Sequence, residues 1–150
     1  MLETTTQELI RQGIDRFWEC LPAAWNQVRI NLRATAAQDF DISFEQFTIL
    51  RHIRKGSKSI SELADARRIS RPAISQAVEM LVERGLISRQ QSTQDRRWVD
   101  LELTQSGNDI LNTIFKKNSD WMEEKLAILD LEELQCLLSG LETLKKTFDN

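Results

Sequence analysis

Polar side chains near the start of one predicted helix have the chemistry of a surface that binds DNA. The helix is predicted over residues 70–85. Small or hydrogen-bonding residues occupy its outward side, and the predicted DNA-contacting set is Arg71, Pro72, Ala73, Ser75 and Gln76. Guanidinium, hydroxyl and amide groups form hydrogen bonds with base edges, and the small residues among them permit a close approach. This face therefore suits the floor of a major groove.

A second polar cluster lies between two predicted strands, over residues 91–97. It ends in Asp95, Arg96 and Arg97. Two adjacent arginines suit a minor groove, where the negative potential attracts guanidinium groups, and the Asp95 carboxylate can hold one of them in a fixed orientation. We predict that these three residues form a second contact with DNA.

Two short helices are predicted to carry the first cluster. The first helix begins with a capping box, in which the Ser59 hydroxyl accepts from the Glu62 amide and the Glu62 carboxylate accepts from the Ser59 amide. The second has Ser70 as its N-cap and Pro72 in its first turn, where a missing N–H breaks no helical bond. Gly85 is placed to end it. Its inward face is predicted to be Ile74, Ala77 or Val78, and Leu81.

A pair of strands is predicted to carry the second cluster. Leu86 and Ile87 open the first strand, and Trp98 opens the second. In the second strand, apolar residues at 99, 101 and 103 alternate with acidic residues at 100 and 102, as in a half-buried strand. Helix, turn, helix and hairpin together form a winged helix-turn-helix. The predicted fold class is therefore mainly α with a small β-hairpin wing.

Residues 60–107 resemble the signature region of the MarR family of bacterial regulators. The resemblance rests on the helix-turn-helix, the Gly-Leu turn into the wing, the Asp-Arg-Arg tip, and the Leu-Thr-x-x-Gly pattern at Leu103, Thr104 and Gly107. The family usually has a second aspartate shortly before the Asp-Arg pair, and this chain has Ser92, Thr93 and Gln94 there. Similarity at the level of motifs is confined to residues 43–107, although the whole chain has the length of a typical member.

The resemblance implies a sequence-specific transcriptional regulator, acting as a repressor and a homodimer on a palindromic DNA operator. It also implies one MarR-like domain over residues 1–150. Within it, dimerisation helices are expected at about 1–36 and 108–150, and the winged helix-turn-helix at about 43–107. The alternative is a winged helix that associates with another protein and binds no DNA, because one fold serves several functions.

The charge is distributed unevenly along the chain. The whole sequence has a formal net charge of -3, but residues 51–97 carry eleven basic residues against five acidic ones, and the remainder carries nine against eighteen. Positive charge is thus concentrated where the motifs place DNA, while the acidic flanks limit non-specific binding.

The flanking segments are predicted to be long apolar helices. Over residues 6–36, a heptad stripe consists of Ile14, Trp18, Leu21, Trp25, Val28 and Leu32. Pro22 lies inside it and should kink or divide the helix. Beyond the wing, Thr104 is predicted to cap a helix that runs to Leu129, and Asp130 with Glu133 to cap a final one. This apolar surface exceeds what a small winged-helix core can cover, which favours a dimer over packing within one subunit.

The segment between the first long helix and the motif region is predicted to be a polar connector at 37–42 and a scaffolding helix. Ser43 and Gln46 form a capping box for that helix, which ends near Gly56. Its predicted inner face is Phe47, Leu50 and Ile53. His52, the only histidine, lies on this helix, and we interpret it as structural because no metal-ligand cluster accompanies it in sequence.

Control by a small aromatic ligand, bound between the DNA-binding unit and the dimer helices, is a further implication of the resemblance. Trp18, Trp25 and Trp121 either line such a cleft or belong to the core, and no ligand residue is predicted. Oxidation of Cys20 is a second, less favoured route. It is considered because a branch of the family senses hydroperoxides through a cysteine on the first helix. That branch uses tyrosines, which this chain lacks, although Arg16 would favour a thiolate. Cys136 is predicted to be a buried apolar residue.

Several classes of function are disfavoured by what the sequence lacks. It has no glycine-rich phosphate loop, paired-histidine metal motif or nucleophile elbow, so we predict no enzyme activity, no cofactor and no metal site. No apolar run reaches the roughly 18 residues that cross a bilayer, and the first residues do not resemble a secretory signal. We therefore expect a cytoplasmic protein without a membrane partner.

Overall fold

The computed structural model describes residues 2–92 and 99–149. Over these residues the elements in chain order are α1 (Leu2–Phe40), α2 (Phe44–Arg54), α3 (Ile60–Arg67), α4 (Arg71–Glu83), β1 (Ile87–Gln91), β2 (Val99–Leu103), α5 (Gln105–Leu126) and α6 (Leu131–Phe148). The two strands pair antiparallel as a hairpin. The predicted class, mainly α with a small hairpin wing, is confirmed.

The long helix α1 runs unbroken through Pro22 to Phe40. It is therefore not divided at the proline, and the predicted connector at 37–42 was too long. The chain leaves the helix at Asp41, which has a φ of 51°. The amides of Asp41 and Ile42 donate to the carbonyls of Ala37 and Ala36 at 3.1 and 3.0 Å, so the turn uses helix-end carbonyls that would otherwise lack donors. Ile42 then enters the core.

The core is formed by the C-terminal end of α1, by α2, α3, α4 and the hairpin, and by the first half of α5. Its fully buried large side chains include Phe47, Leu50, Leu63, Ile74, Val78, Leu81, Leu111 and Ile114. The predicted inner faces of α2 and α4 are confirmed, with Val78 rather than the half-buried Ala77 as the deep residue of its turn. Most of the apolar burial thus belongs to the unit that carries the predicted DNA contacts.

Three predicted helix caps form as expected. Ser43 and Gln46 make the reciprocal capping box of α2, with bonds of 2.9 and 3.1 Å. Asp130 and Glu133 make the same box at α6, and the Thr104 hydroxyl accepts from the Gly107 amide at 3.1 Å. These caps depend on residues three apart in sequence, which is why the sequence reveals them.

The predicted caps of the helix-turn-helix need correction. The Ser59 hydroxyl accepts from Glu62 as expected, but the Glu62 carboxylate accepts from the Lys58 amide at 2.7 Å instead of the Ser59 amide. Lys58 is held in place because its carbonyl accepts from Leu101 of β2 at 2.8 Å. Ser70 is the N-cap of α4 but makes no side-chain cap bond. Pro72 removes one of the two amides that such a cap normally uses.

The hairpin rests on the core through only part of its length. The register pairs Ile87 with Leu103 and Gln91 with Val99. Leu101 is buried, whereas Val99, nearer the tip, is exposed. The predicted contacts Asp95, Arg96 and Arg97, together with Trp98, lie outside the described residues.

The start of α5 packs tightly on the turn that follows α4. A side chain at Gly107 would overlap the carbonyl oxygen of Leu86. The Thr104 hydroxyl donates to the Gly85 carbonyl at 2.7 Å, and the Thr104 amide donates to the Leu86 carbonyl at 3.2 Å. The Leu-Thr-x-x-Gly pattern therefore joins α5 to the end of α4, because its threonine supplies the hydrogen bonds and its glycine the space.

The terminal helices bury little. No residue of α6 is buried, and Leu138 on it is 62% exposed. Trp18 on α1 is 68% exposed. Across the described residues, none of the helices is apolar over a stretch long enough to span a bilayer.

Candidate nucleic-acid interface

The predicted contact face of α4 lies at the surface. Arg71, Pro72, Ala73 and Gln76 are exposed, and Ser75 is half-buried. They are oriented outward because Ile74, Val78 and Leu81, at steps of four and three, fill the opposite side of the helix. One turn of helix thus presents a guanidinium, a hydroxyl and an amide together, with no bulky side chain between them.

Two adjacent arginines before α4 have different environments. Arg67 donates to both oxygens of Glu45 on α2, at 3.0 and 3.3 Å, and is half-buried. Arg68 is exposed, and in the described part of the chain it has no carboxylate partner. Arg67 therefore joins two helices, whereas Arg68 adds unpaired positive charge beside α4.

Arg68 also has an uncommon backbone conformation. It is the C-cap of α3, with a φ of 53°. A residue with a Cβ adopts this left-handed conformation at a cost of about 1 kcal/mol relative to its usual one. Arg68 was not among the predicted DNA contacts. The available signal was its position three residues before the start of α4.

The positive charge around α4 is only partly compensated. On the wing side, Arg89 of β1 pairs with Glu79 of α4 at 2.6 Å. Arg71, like Arg68, has no carboxylate partner among the described residues. The cationic surface is therefore concentrated at the N-terminal end of α4, where the polar face also lies.

His52 lies behind this surface on α2. Burial, followed by the positive charges of Arg67, Arg51 and Lys55, lowers its pKa, against a smaller opposing effect of Glu45. The imidazole is therefore neutral near pH 7. Within residues 2–92 and 99–149, no group of three side chains is arranged as a metal site.

Comparison with known proteins shows what the chain is similar to. A model of the MarR family matches residues 40–97. The chain is 28% identical over 109 residues to YpoP of Bacillus subtilis, an uncharacterised HTH-type transcriptional regulator, covering 72% of this chain and 77% of YpoP. It is 30% identical over 90 residues to the B. subtilis transcriptional repressor MdtR, covering 59% of this chain and 58% of MdtR.

Solved structures share the fold. The transcriptional regulator Tm0710 of Thermotoga maritima superposes with a TM-score of 0.80 at 23% identity, covering 90% of this chain and 95% of Tm0710. MarR of Escherichia coli, in its reduced form, superposes with a TM-score of 0.63 at 25% identity, covering 83% and 93%. This chain is a transcriptional regulator of the MarR type. Its fold is the winged helix of that type.

The cysteines of this MarR-type chain both lie at the surface, Cys20 on α1 and Cys136 on α6. The prediction that Cys136 is buried was wrong, because α6 has no second layer of the same chain to cover it. Arg16, considered as a cation for Cys20, instead pairs with Glu19 at 2.9 Å.

Trp18 and Trp121 of this MarR-type chain line two different grooves. Trp121 lines an apolar groove of about 370 Å³ between α1 and α5, together with Val28 and Met122. Trp18 lines a separate groove where α6 crosses α1, and its ring is in edge contact with Phe17. The Lys125 ammonium lies 5.9 Å from the centre of the Trp121 ring, so the first groove has an apolar wall with one cation at its edge.

Proposed function

We propose that this MarR-type regulator binds a palindromic DNA operator as a homodimer and represses transcription by occupying the promoter. The observation that carries the proposal is the exposed polar face of α4, which stands beside unpaired arginines on a fully packed scaffold. An interaction surface for a protein partner would instead have exposed aromatic or aliphatic anchors there.

The side chains on α4 have distinct roles in this proposal. The Gln76 amide can donate and accept at once, which matches the edge of adenine in the major groove. Arg71 matches guanine or a phosphate, and Pro72 and Ala73 leave room for the backbone to approach. Arg68 contacts a phosphate. Arg96 and Arg97 at the wing tip enter the minor groove, and Asp95 holds one of them in a fixed orientation. The roles of these three wing residues rest on the sequence alone.

A homodimer follows from the apolar surface that one chain leaves uncovered. The exposed large side chains of the terminal helices include Leu9, Ile14, Trp18, Trp25, Ile128, Leu131, Leu138, Leu141 and Phe148. They belong to α1, to α6 and to the turn before α6, which agrees with the proposed dimerisation segments 1–36 and 108–150. Covering them with a second copy gives two α4 helices related by a two-fold axis, the arrangement that a palindrome requires.

Similar proteins support two parts of this proposal, DNA binding and repression. FabT of Streptococcus pneumoniae, with a TM-score of 0.68 at 23% identity, was solved in complex with DNA. A variant of MepR of Staphylococcus aureus, with a TM-score of 0.67 at 18% identity, was solved bound to an oligodeoxyribonucleotide. MdtR is named as a repressor, which supports repression as the mode of action.

Effector control completes the proposal. The groove lined by Val28, Trp121 and Met122 lies between two helices of the dimerisation region and has a volume suited to a small aromatic molecule. A ligand there changes the packing of α1 on α5, and hence the separation of the two α4 helices. Oxidation of Cys20 is the alternative route, because that thiol is accessible.

The test begins with an operator selected from a random DNA pool and measured by gel shift. Gln76→Ala should lower affinity for the selected operator by about 1–3 kcal/mol and relax the preference at particular base pairs. Arg97→Ala should weaken binding to most sequences by a similar factor and flatten the salt dependence. Gln38→Ala, which removes an exposed amide from α1, is the matched control and should bind normally.

Two outcomes would contradict the proposal. Unchanged operator affinity in both Gln76→Ala and Arg71→Ala would show that this face of α4 does not contact DNA. A chain that binds no DNA but captures a protein through α4 would be a winged-helix interaction module. Once an operator is known, screening small aromatics and peroxides for its release, with mass analysis of Cys20, separates the two effector routes.

A further inference from the structure

The end of α4 is attached to the end of α1 by a single side chain. Arg84, the C-cap residue of α4, donates to the carbonyl of Phe40 at 2.6 Å and to the carbonyl of Asp41 at 2.5 Å. These carbonyls lie at the C-terminal end of a 39-residue helix. Carbonyl groups at such an end lack helical donors and carry the negative end of the helix dipole, so a guanidinium is a favourable partner.

The next two residues attach the same end of α4 to α5. The carbonyls of Gly85 and Leu86 accept from Thr104, and Gly107 permits α5 to lie against Leu86. Residues 84–86, which we call the junction, therefore contact both long helices of the proposed dimerisation region. The two attachments differ in chemistry. The one to α5 depends on uncharged hydrogen bonds from Thr104 and on the space left at Gly107, whereas the one to α1 depends on the charged Arg84 guanidinium.

The C-terminal part of α1 is also linked to the middle of α5. Lys117 of α5 pairs with Asp39 of α1 at 2.7 Å. Two turns earlier, the Asn31 amide donates to the buried Asn118 at 3.1 Å. A shift of α1 relative to α5 must therefore break one of these links or move the junction. Because the junction directly follows α4, a movement of the junction also displaces α4 and its polar face.

We propose that Arg84 is a positioning residue that fixes the angle of α4 on α1, and so sets which half-site spacing a dimer accepts. This rests on the proposed function. Half-sites in successive turns of one groove lie roughly 34–36 Å apart. If the α4 helices are rigidly mounted, one spacing fits best, and others require the protein or the DNA to deform. Without the Arg84 bonds, the end of α4 keeps its core packing and its attachment to α5 but loses its attachment to α1, and several spacings become acceptable.

The experiment measures affinity for a series of operators in which the central spacer is lengthened or shortened by one or two base pairs. The wild-type chain should prefer its best spacer over the others by about tenfold or more, and Arg84→Ala should reduce that ratio to about threefold or less. Arg84→Lys, whose ammonium can still donate to a helix-end carbonyl, should restore much of the preference. Arg84→Gln has a shorter, uncharged side chain that cannot reach both carbonyls, so it should flatten the preference as Arg84→Ala does. It serves as the second variant if the alanine variant folds poorly.

Arg89→Ala is the matched control. It removes the same charge from the surface near α4, but the Arg89–Glu79 pair lies within the winged unit and contacts neither α1 nor α5. It should lower affinity for all spacers by a similar factor and leave their ratio unchanged. Comparing ratios rather than affinities separates positioning from loss of charge.

Three results are distinguishable. A flattened spacer preference in Arg84→Ala, with the ratio kept in Arg89→Ala, supports the positioning role. A uniform loss of affinity with the wild-type ratio retained, in a folded Arg84→Ala or Arg84→Gln chain, overturns it and leaves Arg84 a stabilising residue only. A wild-type chain that binds no duplex, or binds every spacer equally, overturns the proposed paired binding itself, whatever Arg84 does.

Discussion

Two helices of this chain, α4 and α6, have similar apolar patterns but differ in how much of the apolar face the chain buries. In α4, the apolar residues Ile74, Val78 and Leu81 are fully buried by their own chain. In α6, the leucines recur at the same helical spacing, and none is buried. Hydrophobic periodicity therefore predicts a helix and its apolar face in both regions, but it does not say which polypeptide covers that face. Under the proposed function, the winged unit provides most of the stability of the fold and the terminal helices provide the dimer contacts.

The largest effect is expected on the free energy of unfolding, when one leucine from each region is replaced by alanine. Leu81→Ala leaves a cavity in a packed core and should lower the free energy of unfolding by about 2–5 kcal/mol. Leu138→Ala removes a side chain that is 62% exposed in one chain and should leave no such cavity. Its effect should instead depend on protein concentration, because it weakens the dimer. Chemical unfolding at two concentrations measures both, and equal, concentration-independent losses would remove the distinction between the regions.

Replacing one glycine in each region by alanine compares the space available there for a single methyl group. Gly107→Ala would place its Cβ on the Leu86 carbonyl, so the start of α5 must move, at an expected cost of about 1–3 kcal/mol. Gly140, in α6, has open space at that position, and alanine there should stabilise the helix by about 0.5–1 kcal/mol. Thermal unfolding of the two variants should shift in opposite directions. A tolerated Gly107→Ala would show that the junction is looser than its contacts indicate.

Arg68→Gly separates stability from binding within the winged unit. Relief of the left-handed conformation should stabilise the chain by up to about 1 kcal/mol, while loss of the cation should lower DNA affinity and reduce the salt slope by about one. Asp41→Gly is the control, because Asp41 has nearly the same φ, of 51°, but lies at the end of α1. Its gain should be smaller, since aspartate tolerates this conformation better. An unchanged DNA affinity in Arg68→Gly would show that Arg68 does not contact phosphate.

The smallest expected effect is a pH dependence from His52. Its pKa in the folded chain is lowered, so the native state favours the neutral ring more than the unfolded state does. The contribution to stability is present above the unfolded pKa, near 6.5, and is lost as the pH falls through the folded value. His52→Gln should therefore lose less stability between about pH 7 and 5 than the wild-type chain. Parallel urea titrations at the two pH values measure the difference, and identical losses would contradict it.

Local features of the sequence predicted most of the fold and the α4 face. Helix caps such as Ser43 with Gln46, and the buried stripe of α4, arise from residues three or four positions apart, so the sequence displays them directly. The wing-tip residues Asp95, Arg96 and Arg97 remain a sequence prediction.

Long-range contacts account for the features of the structure that the sequence did not predict. The bond of Arg84 to Phe40 and the pairing of Asn31 with Asn118 join residues 44 and 87 positions apart. Glu62 binds the Lys58 amide because β2 holds that segment, which no local pattern reveals. Cys136 is exposed because no other part of the described chain buries α6. Helix periodicity marks an apolar face but does not predict whether the same chain covers it.

The most direct test is the mass of the protein in solution, with and without a selected palindromic duplex, by sedimentation or light scattering. One chain has a mass of 17.4 kDa. We expect twice that mass for the free protein, and a complex with two chains per duplex. A folded protein that stays at the mass of one chain, and that binds an isolated half-site as tightly as the full palindrome, would contradict the account.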